Sequence, residues 1–396
     1  MTIDKTSNAV ATAGALSGLR IVEMAGLGPA PYAAMLLADL GAEVIRVDRA
    51  DRAAAGDPNA RVKLLNRGRR SIALDLKRPE APELVLRLVA RSHGLIEGFR
   101  PGVMERLGLG PEVCLERNPS LVYGRMTGWG QDGPLANTVG HDVNYIALSG
   151  ALHAVGRAGE IPVPPVNFVG DFGGGGAFLV IGLLAALWEA GRSGKGQVID
   201  TAIVDGSATF TAMLRGFLVE GRWRDETGVN FSDTGSPYYE VYRCADGLDL
   251  SVGAIEPQFY ADLLEGLGLS QDDVPSRADQ ANWPLIKQQF ASIIARRTRD
   301  EWVDRFSDLD ACVAPVLSLT EATVHPHNVA RGAFVEHHGV VQPAPAPRFG
   351  RTSATLGLPP PHPGEHTIEL LGELGCSPEE IDDLVRSAAA RSSAPA

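Results

Sequence analysis

Hydrophobic runs of strand length alternate with helix-length segments through the first two hundred residues. Apolar, β-rich runs at 19–24, 43–48, 71–76, 94–99 and 121–126 predict buried strands. Pro31 to Leu40, closed by Gly41, and Ala81 to Arg91 have the apolar spacing and endings typical of helices. Because strands that alternate with helices build βαβ units, the pattern predicts an α/β domain with a mostly parallel sheet.

The pattern changes after residue 201. A long helical stretch leads into the polar run DETGVNFSDTGSP, and then Tyr239–Arg243 and Leu248–Val252 flank Ala245-Asp246-Gly247, a typical hairpin turn. Helices are predicted at about 257–267, 283–297 and 299–308, so this region is expected to form a smaller α+β domain. The proline-rich stretch 342–363 predicts an extended connector, and a final amphipathic helix is predicted at 378–386.

Composition excludes several classes of protein. A net charge of −12 argues against general nucleic-acid binding, which needs a broad basic face. The four cysteines form no C-x-x-C pair, and His325, His327, His337 and His338 lack suitable companions, so we predict no metal site. The N-terminus lacks a signal-peptide pattern, and the apolar stretch 177–188 is too short to cross a bilayer. We therefore expect a soluble cytoplasmic protein without a membrane partner.

A glycine motif follows the first predicted strand. Gly26-Leu-Gly28-Pro-Ala-Pro31, with Asp48 twenty residues beyond Gly28, imitates a dinucleotide-binding fingerprint. Pro31 occupies the place of the third glycine, and proline is common in the first turn of a helix. The motif therefore favours an ordinary strand–turn–helix connection over a nicotinamide cofactor site.

A cluster of positive charge interrupts this acidic chain. Arg61, Lys63, Arg67, Arg69 and Arg70 lie within residues 61–70, which contain no Asp or Glu. Four further cations follow: Lys77, Arg78, Arg100 and Arg106. Such a run is usually a solvated face. A local reversal of charge is also what a phosphate-bearing ligand requires, and the residues alone leave both interpretations open.

Three polar side chains stand in surroundings that suit proton transfer, and each also has a structural interpretation. Helical spacing would place His141 and Tyr145 on one face, although a structural histidine is the commoner case. Asp171, between apolar neighbours and ahead of four glycines, either caps the next helix or has a raised pKa suited to acid–base chemistry. Glu256, between the hairpin and a helix, is by itself an N-terminal cap.

Several segments occur together in an order that points to a known family. They are LSGLRIVEMAGLGPAPYAAMLLADLGAEVIRVDR, RRSIALDLK, EGFRPGVMERLGLGP, GHDVNYIALSG, VGDFGGG, GKGQVIDTAIVDG, GAIEPQFY and DACVAPVL. Over roughly residues 16–350 the chain closely resembles the α-methylacyl-CoA racemases of the family III CoA-transferase superfamily. One departure is NFSDTGSPYY at 230–239, where racemases read closer to NMLDGGAPFY. The departure concerns the acyl pocket or a domain contact and removes none of the proposed catalytic groups.

The resemblance implies a fold and an assembly. It implies a large Rossmann-like α/β domain from 1–201 and 345–396, a small α+β domain from 233–323, and linkers at 202–232 and 324–344. Two chains are implied to interlock as a homodimer, with each active site between the large domain of one chain and the small domain of the other.

The resemblance also implies the residues of the site. His141 and Asp171 are implied to be the catalytic acid/base pair, and Glu256 of the second chain to orient His141. The backbone N–H of Asp142 is our candidate donor to the enolate oxygen. Coenzyme A contacts are implied for Arg49, Leu74, Asp75, Leu76, Lys77, Gly98, Phe99, Arg100, Pro101, Gly102, Arg106, Gly140, His141, Asp142, Val143, Asn144 and Tyr145. If the basic run at 61–70 binds a phosphate-bearing ligand, the phosphates of CoA would be the anion that it binds.

The implied activity is racemisation of 2-methylacyl-CoA thioesters, with no metal and no cofactor beyond the CoA moiety of the substrate. A CoA-transferase of the same superfamily is the alternative, with Asp142 as covalent nucleophile. A non-catalytic acyl-CoA-binding protein would bind the esters without exchanging the α-proton. The combination of His141, Asp171 and Glu256 favours the racemase. The sequence leaves the acyl group open among branched fatty acids, sterol side chains and arylpropionates.

Overall fold

Two units make up the structure, a computed structural model that describes residues 14–393. Within the described residues, the first unit comprises 14–149, 166–209 and 330–393, and the second comprises 150–165 and 210–329. The expected boundaries at 201 and 233 differ from these, above all because 150–165 belongs to the second unit. Arg157 Nη1 lies 2.8 Å from a carboxylate oxygen of Glu240, and Thr234 Oγ1 donates to the carbonyl of Gly156. These partners are far away along the chain, so local patterns could not place the segment.

Strands alternate with helices through much of the chain. The strands are, in chain order, β1 (Arg20–Met24), β2 (Glu43–Arg49), β3 (Arg69–Leu74), β4 (Gly94–Glu97), β5 (Val122–Thr127), β6 (Gln197–Ala202), β7 (Tyr239–Arg243), β8 (Asp249–Gly253), β9 (Val313–Pro315), β10 (Phe334–His337), β11 (Val340–Pro343) and β12 (Ala390–Arg391). The α-helices are α1 (Pro29–Asp39), α2 (Ala50–Ala55), α3 (Ala81–Val89), α4 (Val103–Arg106), α5 (Pro111–Arg117), α6 (Asp142–Ser149), α7 (Phe178–Ser193), α8 (Ile203–Thr209), α9 (Ala212–Val219), α10 (Pro257–Leu267), α11 (Trp283–Ile294), α12 (Arg299–Phe306), α13 (Leu319–Val324), α14 (Pro326–Arg331), α15 (Thr367–Glu373) and α16 (Pro378–Arg386).

The first unit is built on a sheet in the order β12-β3-β2-β1-β4-β5-β6. Neighbouring strands from β1 to β6 pair in parallel, and only β12, at the edge of the sheet, pairs antiparallel. Consecutive residues such as Ile21 and Val22 enter core clusters on opposite faces, because side chains alternate along a strand. Helices α3 and α5 cover one face, and α1 and α7 cover the other. The prediction of an α/β fold with a mostly parallel sheet is confirmed.

The turn after β1 is a helix start without the features of a dinucleotide site. Gly28, with φ 67°, precedes α1, and prolines at 29 and 31 remove two of the N–H groups that would face a phosphate. Asp48, at the end of β2, is buried and accepts a hydrogen bond from Ser71 Oγ at 2.7 Å. Its carboxylate also pairs with Arg46 at 3.2 Å, so it is already engaged within the protein.

The second unit contains an antiparallel sheet in the order β7-β8-β9 with helices α10 to α12 packed around one core cluster. The hairpin of β7 and β8 forms as predicted, with Gly247 at φ 78° in its turn. Strand β9 was not predicted, because three residues are too few to show alternation. The expected linkers are folded: α8 and α9 lie within 202–232, and the hairpin of β10 and β11 lies within 324–344.

One continuous helical segment, 168–193, has the length and apolar composition of a membrane span. Core helices of soluble proteins can have the same length and apolar composition. In this helix Leu179, Val180 and Leu183 pack in the core of the first unit. Within residues 14–393 there is also no group of three or more His, Cys, Asp or Glu side chains arranged to hold a metal ion.

Candidate active site

His141 occupies the position just before helix α6. Its carbonyl accepts from the N–H of Asn144 at 2.8 Å, and its own N–H donates to Asn144 Oδ1 at 3.0 Å. The bond from the His141 N–H to the Asn144 side chain corresponds to one of the two bonds of a capping box, and together the two bonds hold the backbone of His141 in place at the start of the helix. The His141 side chain is exposed, whereas Tyr145, one turn later, is buried and packs edge-to-face on Trp129 at 4.7 Å.

The start of α6 leaves a hydrogen-bond donor free. In the described part of the chain the backbone N–H of Asp142 has no acceptor, as expected for the first residue of a helix. Free N–H groups at a helix N-terminus attract negative charge. A backbone donor that could serve an oxyanion is therefore present at Asp142, and its role toward an enolate oxygen stays a prediction.

Asp171 lies inside a π-helical segment, Phe168–Ala177, that continues into α7. The Asn167 residue, not Asp171, holds the N-cap position, so the capping interpretation is wrong. Glycines let this segment pack directly on its neighbours: a Cβ on Gly174 would lie 2.6 Å from the backbone nitrogen of Ser207 in α8. Segments of π-helix are rare and occur often at functional sites.

The pKa of Asp171 is raised from its ordinary value. Burial is the largest cause, and the nearby negative charge of Asp142 adds to it. A hydrogen bond from the Asn167 side chain and the charge of His141 act in the opposite direction. These interactions also show that residues 141, 142 and 171 are brought together from two separate parts of the chain. The turn before α1 lies close as well, since a Cβ on Gly28 would be 3.1 Å from Asp171 Oδ2.

A cavity of about 680 Å³ borders His141. Apolar side chains form much of its wall: Trp129, Leu135, Val139 and Leu148. Ligand pockets commonly combine apolar walls with a few placed polar groups. The cavity suits an apolar group held beside the imidazole.

Glu256 lies in the second unit, at the N-cap position of α10. Its side chain makes no capping hydrogen bond and is exposed. The carboxylate is therefore not used as a cap, and the N-cap interpretation describes its position but not its interactions.

The segments expected to bind coenzyme A follow the carboxyl ends of successive parallel strands. Residues 74–77 begin with the last residue of β3, residues 98–102 follow β4, and Arg49 ends β2. The carboxyl ends of parallel strands meet at one edge of a sheet, where α/β proteins bind ligands at the point of strand-order reversal, here between β1 and β4. The side chains of Lys77, Arg100 and Arg106 are exposed and form no ion pair in residues 14–393.

Three of the five cations in the basic run at 61–70 lie neither on a solvated face nor where a phosphate could reach them. Arg67 is buried against Asp39 at 2.6 Å, and Arg69 is fully buried against Glu23 at 2.5 Å. Arg70 is buried among three carboxylates, those of Glu43, Glu369 and Glu373. The other two members are more exposed, and they pair with Glu365 (Arg61) and Asp57 (Lys63). The phosphate interpretation is therefore wrong for Arg67, Arg69 and Arg70, which are buried against the protein's own carboxylates, whereas the exposed ion pairs of Arg61 and Lys63 do not test it.

A buried ion network beside residues 98–102 was missed by the sequence analysis. Glu97, at the end of β4, accepts from the N–H of Phe99 at 2.7 Å and from Arg125 Nε at 3.0 Å. Arg125 also donates to Glu105 of α4 at 2.8 Å. Glu97 and Arg125 are buried, and burial raises the pKa of Glu97 to about 7. Through Arg125 of β5, the network connects both ends of the 98–105 segment to that strand. The local sequence pattern contains no signal for these ion pairs.

Comparison with known proteins adds to this geometry. The model of CoA-transferase family III matches residues 16–367. The α-methylacyl-CoA racemase of Mus musculus is 47% identical over 368 residues, which covers 92% of this chain and 95% of that protein. The α-methylacyl-CoA racemase of Homo sapiens is 46% identical over 374 residues, with 93% and 96% covered. The crystal structure of a CAIB/BAIF family protein from Brucella suis has a TM-score of 0.79 at 26% identity, and covers 92% of this chain and all of its own.

Proposed function

The chain belongs to CoA-transferase family III, and we propose that it interconverts the (R) and (S) epimers of 2-methylacyl-CoA thioesters. The observation that carries the proposal is the convergence of His141 and Asp171 beside the unoccupied N–H of Asp142. Two relatives at 46–47% identity that are named α-methylacyl-CoA racemases support it.

The reaction removes the α-proton from one face of the thioester and returns a proton to the other face. His141 takes the proton of the S epimer, while protonated Asp171 supplies the proton that forms the R epimer, and the roles are exchanged in the reverse direction. The raised pKa of Asp171 suits this role, because the acid must hold its proton near neutral pH. The N–H of Asp142 stabilises the enolate oxygen. No metal or further cofactor is needed beyond the CoA moiety of the substrate.

Substrate binding is assigned to two surfaces of the first unit. The exposed cations Lys77, Arg100 and Arg106 suit the phosphates of coenzyme A. The apolar cavity beside His141 suits the acyl group. A 2-methylacyl chain of a lipid fits this chemistry, and we place the reaction in cytoplasmic lipid metabolism.

We also propose that the active protein is a homodimer in which Glu256 of one chain orients His141 of the other. Large apolar side chains on the first unit are exposed, including Leu148 at 63%, Ile181 at 60% and Trp188 at 72%. Apolar surface of this kind is typical of association sites. Co-expression of His141→Ala with Glu256→Ala tests the proposal, because each mixed dimer would contain one intact site of two. Random pairing makes about half of the dimers mixed, so the co-expressed mixture should recover about a quarter of the wild-type activity. No recovery in purified mixed dimers would contradict it.

The reaction itself is tested by α-proton exchange in D₂O. The wild-type protein should incorporate deuterium at the α-position of a 2-methylacyl-CoA while it interconverts the epimers. His141→Ala and Asp171→Ala should each lower kcat about a hundredfold or more, the size of a positioned proton-transfer group. Turnover of the ester without α-deuterium would contradict the racemase. Transfer of CoA between carboxylic acids would instead indicate the transferase chemistry of Asp142.

A further inference from the structure

The carboxylate of Asp142 is turned away from its own helix. Oδ2 accepts a hydrogen bond from the N–H of Asp171 at 2.6 Å, and the N–H of Gly170 also donates to this carboxylate. Both donors lie in the first turn of the π-helical segment, where N–H groups lack partners within the helix. The Asp142 carboxylate therefore accepts hydrogen bonds from the free N–H groups at the start of a helical segment that is distant in sequence. The side chain is 8% exposed, and its Oδ1 is buried without a partner in the described residues.

This contact is closely packed. A Cβ on Gly170 would lie 2.3 Å from Asp142 Oδ2 and 2.6 Å from its Cγ, distances that side chains do not adopt. Any larger residue at 170 would displace either the carboxylate or the backbone that carries Asp171. The two segments fit together as they are only with glycine at this place.

The contact also sets two carboxyl groups beside each other. Two neighbouring carboxylates repel each other, so it is unfavourable for both to be ionised at once. The pair therefore retains one proton more easily than a single carboxyl group would. The groups that face Asp171 are Asp142 at the start of α6, His141 just before it, the Asn167 amide at the N-cap of the π-helical segment, and the Tyr145 phenol. Arg100 is the one further charge near Tyr145 among the described groups. Asp142 is thus the negative neighbour of Asp171 in this set.

We propose that the Asp142 carboxylate is a positioning group for Asp171, which it serves by anchoring the Gly170–Asp171 backbone and by placing a second negative charge beside the Asp171 carboxyl. The proposal rests on the racemase function above and assigns the side chain a task separate from that of the Asp142 backbone N–H. It also differs from the nucleophile role, because here the carboxylate keeps its two backbone N–H bonds through the reaction and forms no bond to substrate.

The test separates the anchor from the charge. Asp142→Asn keeps the shape and an acceptor oxygen but removes the charge, whereas Asp142→Ala removes both. We expect the acidic limb of the pH profile of kcat/KM to move about one unit to lower pH in Asp142→Asn, because Asp171 loses its negative neighbour. The shift should be equal in both directions of the reaction, since the equilibrium constant between the epimers is fixed. KM should change less than twofold.

Asp142→Ala should lose about a hundredfold in kcat at every pH, and the Asn variant should recover most of that loss. Asp383→Asn, which removes one exposed carboxylate on α16, is the matched control and should leave the profile unchanged. An unshifted acidic limb in Asp142→Asn would overturn the charge role, and full activity of Asp142→Ala would overturn the anchor. If the Ala variant fails to fold, the isosteric Asn variant still decides the charge role, and its unshifted acidic limb would overturn the proposal.

Failure of this proposal is distinguishable from failure of the proposed function. In the first case the wild type exchanges the α-proton and the Asp142 variants behave like it. In the second case the wild type incorporates no α-deuterium at any pH. Loss of all CoA-ester turnover in Asp142→Asn, with CoA transfer in the wild type, would identify the carboxylate as a nucleophile and overturn the proposal.

Discussion

Replacement of Arg125 by Met would show how the segment expected to contact coenzyme A is held. Arg125 bridges Glu97, which is 0% exposed, and Glu105 of α4. Methionine has nearly the volume of the arginine stem but no hydrogen-bond donor. The variant therefore leaves the Glu97 carboxylate buried, with the N–H of Phe99 as its one remaining hydrogen-bond partner among residues 14–393.

The magnitude follows from burial and from pH. Removing one partner of a buried ion pair costs about 3–5 kcal/mol. The pKa of Glu97 is about 7, against an ordinary value of 4.5, because burial disfavours its charged form. A carboxyl whose pKa is raised in the folded state costs no stability below pH 4.5, and its cost grows as the pH rises to 7. Without Arg125 the pKa of Glu97 rises further, so the loss keeps growing above pH 7, by about 1.4 kcal/mol for each additional pKa unit.

Thermal unfolding at fixed protein concentration, followed by circular dichroism at pH 5.5 and pH 8.5, measures this effect. We expect the Tm of Arg125→Met to fall by about 6–10 °C at pH 8.5, taking about 2 °C for each kcal/mol, and by clearly less at pH 5.5. Arg117→Met, which breaks an exposed pair with Glu83, is the control and should change Tm little at either pH. An equal fall at both pH values, or one as small as that of the control, would refute the reasoning.

Three further predictions concern binding, orientation and packing. Arg106→Ala should raise KM for CoA esters more than it lowers kcat, because the expected contact with CoA is made equally in the ground and transition states. Steady-state kinetics measures this, with the exposed Arg386→Ala as the control, and an unchanged KM would contradict the prediction. Glu256→Gln should lower kcat less than His141→Ala, because a residue that orients a base does less than the base; equal losses in the exchange assay would contradict the orienting role. Gly174→Ala should destabilise the first unit by about 1–3 kcal/mol, since its Cβ would press on the backbone of α8, and a wild-type urea midpoint would argue against such tight packing.

Much of the fold was predictable from the sequence because strands and helices have short-range patterns. The apolar runs at 19–24, 43–48 and 121–126 became β1, β2 and β5 with shifts of about one residue, and α16 begins and ends where predicted. The hairpin around Gly247 was predictable for the same reason, since the turn depends on adjacent residues. Asp171 and His141 were identifiable as candidates from their immediate neighbours and from the resemblance to a known family.

Only the tertiary structure decided which cations are available to a ligand and which are already paired with the protein's own carboxylates. In the sequence Arg67, Arg69 and Lys77 are equivalent cations of one basic region. In the structure Arg67 and Arg69 are buried against Asp39 and Glu23, whereas Lys77 is exposed without an ion-pair partner in residues 14–393.

The orientation of the Asp142 carboxylate was likewise decided by tertiary structure. Its two N–H partners lie almost thirty residues away, and the place of Gly170 against it follows from packing rather than from any local preference. Helix and strand patterns arise from interactions between residues a few positions apart, so a single sequence displays them directly. Ion pairs and backbone contacts between distant segments depend on how the sheet and helices pack, and the charge of a side chain does not identify its partner.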